Sequence, residues 1–113
     1  MSYEVRGTPD FEKAVKNLLK KHKSILKDLA PLIKSLKEDP KQGAHLKNNC
    51  YKIRLAISSK NKGKSGGARV ITYVRVLKER VLLIDIYDKS DRESISENEL
   101  EQLINNLPDE LLE

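Results

Sequence analysis

Apolar residues recur at three-and-four spacing in two early segments. Phe11, Ala14, Val15, Leu18 and Leu19 form the first set and predict an amphipathic helix. Thr8-Pro9-Asp10 stands before it with helix-start chemistry, the proline preset for a first turn. Ile25, Leu26, Leu29, Leu32, Ile33 and Leu36 form the second set. Ser24 is placed to cap this helix, and Glu38-Asp39-Pro40 ends it. Pro31 falls inside the pattern, so it must sit in the first turns or kink the helix. The two segments together predict an antiparallel helical hairpin. Tyr3-Glu4-Val5-Arg6 ahead of them reads as a short strand.

The period then changes from helical to alternating. Tyr51, Ile53, Leu55 and Ile57 fall on one side of a strand, with Lys52, Arg54 and Ala56 on the other. Residues 68–77 form a β-branched and aromatic run. Lys78-Glu79-Arg80 is a tight polar turn into a further apolar run at 81–87. Runs so closely spaced predict an antiparallel meander. A last helix opens near residues 94–100, where Ser96 and Glu99 have capping-box spacing. Its apolar side is Leu100, Leu103, Ile104 and Leu107. The order predicts one α+β domain over residues 1–113, a small antiparallel sheet with the helical pair on one face.

Alternation also sorts the polar side chains. Lys52 and Arg54 share a face, as do Arg69, Ile71, Tyr73 and Arg75. Asp85, Tyr87 and Lys89 share one if their strand stays regular to its end. Should these faces coincide, the side of the sheet away from the helical pair is an open, cationic, tyrosine-bearing surface.

Charge sharpens this picture. The 113 residues carry a formal net charge of +5, with 38% apolar and 35% charged residues, enough for one modest core. Residues 40–78 contain no Asp or Glu, while residues 90–113 hold eight acids and a single base, Arg92. A basic centre with an acidic tail suggests a polyanion-binding surface. No run approaches the length of a membrane span, and Met1-Ser2-Tyr3-Glu4 has no signal-peptide character. The single Cys50 cannot form an internal disulfide, which fits a cytoplasmic protein and a packing role for the thiol. No His, Cys and Asp cluster has metal-ligand spacing. His22, within the first helix, and His45, before the first meander strand, read as structural or solvent-facing.

Gly63-Lys64-Ser65 is similar to the end of a nucleotide-binding P-loop. That motif needs a glycine at position 58, where Ser58 stands, and a helix directly after it. The strand pattern that follows argues against this reading. The stretch is better explained as a glycine-rich tip between strands, bringing lysines beside Arg69.

Tyr51-Lys52-Ile53-Arg54, then Gly63-Lys64-x-Gly66-Gly67-x-Arg69, then Tyr87-x-Lys89 and an acidic helix opening resemble the RelE/ParE superfamily of bacterial toxins. The similarity is greatest to its RelE- and HigB-like branch and covers nearly the whole chain. The resemblance implies a sheet with two helices packed on it and the toxin role in a type II toxin–antitoxin system. It implies an mRNA endoribonuclease that works without a metal or cofactor, often in the ribosomal A site, and is held by a cognate antitoxin protein. Arg69, Tyr87 and Lys89 are then the candidate catalytic residues, and Lys52, Arg54, Lys62 and Lys64 the candidate RNA-backbone contacts. Asp85 is an acid to watch, as a base or as the orienting partner of a cation. Two other readings stay open: a gyrase inhibitor like the ParE members, and a non-catalytic nucleic-acid-binding domain.

Overall fold

The computed structural model describes residues 2–60, 63 and 66–113. Its elements are β1 (Glu4–Gly7), α1 (Pro9–Leu19), α2 (Ile25–Glu38), β2 (Ala44–His45), β3 (Cys50–Leu55), β4 (Ala68–Arg75), β5 (Arg80–Asp88), α3 (Glu97–Asn105) and α4 (Asp109–Leu112). The strands form one sheet in the order β1-β5-β4-β3-β2. The meander β3-β4-β5 is antiparallel, while β1 joins β5 in parallel, so the sheet is mixed. That parallel pairing follows from the helical hairpin, which carries the chain back across the sheet between β1 and the meander. The two-residue strand β2 is too short to leave an alternating pattern in the sequence.

Local chemistry explains the helix ends. The Thr8 hydroxyl accepts from the Phe11 N–H and donates to the Leu83 carbonyl, both at 3.1 Å, with Pro9 in the first turn. One side chain thus caps α1 and ties it to β5. Ser24 does not cap α2. Its hydroxyl donates to Asp28 at 2.7 Å and accepts from the Ser59 N–H at 2.9 Å, linking α2 to the turn Ser58–Lys60. Pro31 is the seventh residue of α2, and the helix continues through it to Glu38. The Ser96–Glu99 capping box opens α3 in both directions.

The core has two layers. On one face, Phe11, Val15, Leu18, Ile25, Leu29 and Leu36 of the helical pair cover Ile53, Leu55, Val70, Val81, Leu83 and Ile86. The other face is not open, as alternation had suggested. Leu100 of α3, Leu107 of the link between the two C-terminal helices, and Leu111 of α4 are buried with Cys50, Ile71, Leu82, Ile84 and Tyr87 there. Leu103 and Ile104 are half-buried against the same layer.

β5 is irregular. Ile71 pairs with Asp85 and Thr72 with Leu83, so Ile84 has no partner across the ladder. This bulge reverses the alternation. Leu82 and Ile84 face α3, Ile86 faces the helical pair, and Tyr87 faces α3 again. A regular strand would have put Tyr87 on the same side as Leu83, against the helical pair. Past the bulge the alternation is regular again, so Asp85 and Tyr87 share a face as expected: they pair with Ile71 and Arg69, alternate residues of β4, and Arg92 reaches both. At the other end of the hairpin, β4 stops at Arg75, earlier than the pattern indicated. A 3₁₀ turn at Val76–Lys78 and Glu79 in the left-handed region (φ 50°) complete the reversal.

Candidate functional site

Three side chains line up across the sheet on the face shared with α3. Arg54 pairs with Arg69, and Arg69 pairs with Tyr87, as direct neighbours in register. Directly opposed residues project to the same side with Cβ atoms about 5 Å apart. Arg54 is exposed. Arg69 and Tyr87 are not on an accessible surface: they are 3% and 6% exposed. Arg69 donates from Nη1 to the Ala68 carbonyl at 3.0 Å. The phenol oxygen of Tyr87 is buried with no hydrogen-bond partner among the described residues. A buried hydroxyl without a partner is uncommon and asks for an explanation.

Arg92 closes this row. Its guanidinium carbon lies 4.4 Å from the Tyr87 ring centroid, a cation–π contact. Its Nη2 donates to Asp85 at 2.7 Å and its Nη1 to Glu99 at 2.5 Å. Glu99 also accepts from the Ser96 N–H, so the start of α3 is tied through Arg92 to the tyrosine. Asp85 is the orienting partner of a cation, one of its two expected roles, and its other oxygen accepts from the Ile86 N–H at 2.9 Å. Arg92 is the residue of this cluster that sequence reasoning passed over. Its one visible signal was to be the lone base in an acidic tail.

The electrostatics narrow the chemistry. Burial pushes the Tyr87 phenol up, and the nearby charges of Arg92 and Arg69 offset this only in part. The phenol is therefore neutral near pH 7 and suited to donate a hydrogen bond or a proton, not to remove one. Burial also raises Asp85, with Arg92 pulling against it. Cys50 is fully buried and its thiol is pushed up to about 12, which removes it as a nucleophile.

The other sequence candidates fall around this row. Lys52 pairs with Ile71 and with Ala44 and is half-buried. Lys89 is half-buried in the turn leaving β5, its N–H donating to the Gly67 carbonyl at 3.0 Å. Gly67 allows a different close approach, that of β3, because a Cβ there would lie 2.2 Å from the Leu55 carbonyl oxygen. Lys62 and Lys64 lie outside the described residues. His22 is not within the first helix but beyond the end of α1, with Nε2 2.7 Å from Asp88. His45 touches the Tyr51 ring edge-on.

A mixed sheet with a helical pair on one face, and a row of arginines beside a buried phenol on the other, defines a small α+β protein. Residues 10–110 match the family described as the RelE toxin of the RelE/RelB toxin–antitoxin system, and the chain belongs to that family. Its fold is that of solved relatives. An arginine double mutant of the E. coli toxin RelE in the free state is 23% identical, with TM-score 0.58 over 82% of this chain and 90% of that one. The isolated E. coli RelE toxin is 22% identical, with TM-score 0.56 over 94% and 100%. The toxin–antitoxin complex RelBE2 from Mycobacterium tuberculosis contains a chain 14% identical, with TM-score 0.54 over 80% and 95%.

Proposed function

We propose that this chain is a toxin that stops translation by cutting mRNA without a metal, acting on the ribosome. The observation that carries this reading is the row Arg54–Arg69–Tyr87, in which two arginines on neighbouring strands lead to a neutral phenol with no hydrogen-bond partner among the described residues. Cleavage of RNA by its own 2′-hydroxyl requires three events. That hydroxyl loses a proton and attacks phosphorus, the phosphoryl oxygens gain charge, and the 5′-oxygen leaves with a proton. The Arg69 fork suits the phosphoryl oxygens. The Tyr87 phenol, protonated at neutral pH, suits hydrogen bonding to a reacting oxygen or donation to the leaving one. Lys89 adds positive charge at the end of the row. Lys52 and Arg54, with Lys62 and Lys64, grip the RNA backbone. Because Arg69 and Tyr87 are buried in the free chain, RNA binding has to open the row. Arg92, with its side chain 34% exposed, is the rim group placed to swing aside.

The partner that restrains such an activity is a cognate antitoxin. The solved relative from M. tuberculosis is a toxin–antitoxin complex, which supports this assignment. An acid-free basic stretch at 40–78 suits an acidic or amphipathic partner segment. Among the described residues no helix is long and apolar enough to cross a membrane. Purified protein added to translating ribosomes should yield cut mRNA. Intact mRNA together with blocked DNA supercoiling would point to a gyrase inhibitor. Intact mRNA with normal supercoiling would point to a binding protein.

A further inference from the structure

Behind the candidate row, on the helical-pair side of the sheet, lies a polar cluster built on a buried carboxylate, with no role in the proposed chemistry. Asp88 is its centre, with its side chain 4% exposed. Its Oδ1 accepts from Lys60 Nζ at 2.7 Å and from both the N–H and the hydroxyl of Ser90 at 2.9 Å. Its Oδ2 lies 2.7 Å from His22 Nε2. Lys60 Nζ also donates to the Gly66 carbonyl at 2.8 Å and to the Ser90 hydroxyl, so each of its three hydrogens has an acceptor. Burial opposes the charge on Asp88, but the bonds from Lys60, Ser90 and His22 outweigh it and hold the carboxyl below the usual range.

The cluster joins three places in the chain: the turn after α1, both ends of the β3–β4 connection, and the turn leaving β5. Asp88 pairs with Ala68, one step along the ladder from the Arg69–Tyr87 pair. Lys89 stands between Asp88 and Ser90, and both of these are fixed by the cluster. The carbonyl of Asp88 also accepts from the Asp91 and Arg92 N–H groups, so the turn that launches Arg92 is anchored at the same point.

We propose that Asp88, Lys60 and His22 are positioning residues, a clamp that fixes the backbone from which Lys89 and Arg69 reach the scissile phosphate. None of the three needs to touch RNA. Their catalytic consequence rests on the ribonuclease reading, whereas the clamp itself can be measured without it. A displaced catalytic group slows the chemical step more than it weakens RNA binding, because the backbone contacts through Lys52 and Arg54 remain. A simple structural staple would lower stability and leave turnover in the folded fraction unchanged.

The test compares Asp88→Asn, Lys60→Met, Lys60→Arg and the double variant Asp88→Asn/Lys60→Met with wild type. Cleavage of mRNA on translating ribosomes gives kcat and KM, and hydrogen exchange gives the protection of the Lys89 amide. Each of the two disrupting single variants should lose about 10- to 100-fold in kcat with KM within about twofold. The double variant should be no worse than the poorer single, since the pair acts as a unit. Lys60→Arg should recover most of the rate, and the Lys89 amide should exchange faster whenever the clamp is broken. Should Asp88→Asn fail to fold, the Lys60→Met and Lys60→Arg comparison decides alone. Normal kcat in folded variants, multiplicative losses, or an equally protected Lys89 amide would each overturn the clamp. Wild-type protein that leaves mRNA intact would sink the ribonuclease reading instead, and the exchange result would still decide whether the clamp exists.

Discussion

Replacing Tyr87 with Phe separates function from stability, because the two should move in opposite directions. The phenol oxygen is buried and has no hydrogen-bond partner among the described residues, while the ring is packed with Ile71, Leu100 and Leu107 beneath Arg92. Removing only the oxygen keeps the ring packing and the cation–π contact. It also relieves the desolvation of an unsatisfied hydroxyl, a penalty on the order of 1 kcal/mol. Unfolding entropy of about 2.1 cal/mol/K per residue over 113 residues is about 0.24 kcal/mol/K. A gain of about 1 kcal/mol therefore raises Tm by about 4 °C. Cleavage should fall by about 100-fold, the usual size of a lost acid–base or donor group. Thermal melting by circular dichroism and single-turnover mRNA cleavage on ribosomes measure the two effects on one preparation. A lowered Tm would show that the hydroxyl has a stabilising partner in solution. Unchanged cleavage would remove Tyr87 from the chemistry.

Three further outcomes follow from the geometry. Arg69→Ala should abolish growth inhibition and cost roughly 2 to 4 kcal/mol of transition-state stabilisation, while Arg69→Lys restores activity only in part; wild-type cutting by the alanine variant would end the assignment. Placing Asp at both Leu100 and Leu107, which are 3% and 7% exposed, should lower Tm by at least about 10 °C through lost packing and buried charge. An unchanged melt there would mean that α3 and α4 are not held to the sheet. For Asp88, the folded carboxyl lies below its unfolded value of about 3.9, so its stabilisation is full above that pH and disappears as pH falls through the folded value. The Tm difference between wild type and Asp88→Asn should accordingly be largest at neutral pH and shrink below about pH 4; a difference independent of pH would show that the charge on Asp88 does not matter.

The sequence by itself determined what short-range periodicity and local chemistry can determine. The three-and-four spacing of α1 and α2, the Thr8-Pro9 start, the Ser96–Glu99 box and the inward set Ile53, Leu55 and Ile57 are all in place. Each is a property of residues within a turn or two of one another, where side-chain direction follows from the backbone alone. The pairing of the start of β4 with the end of β5 was legible too, since the meander leaves it little freedom. Tertiary structure decided the rest. The parallel seat of β1 and the two-residue β2 are choices among distant edges, and no local pattern encodes them. Packing of α3 and α4 converted a nominally open face into a second core layer, and so buried Arg69 and Tyr87. The bulge at Ile84 sent Tyr87 to the arginine side, because one unpaired residue reverses every later side chain in a strand. Arg92 over Tyr87, and Asp88 between Lys60 and His22, bring together residues from separate elements, and only the folded chain makes them neighbours.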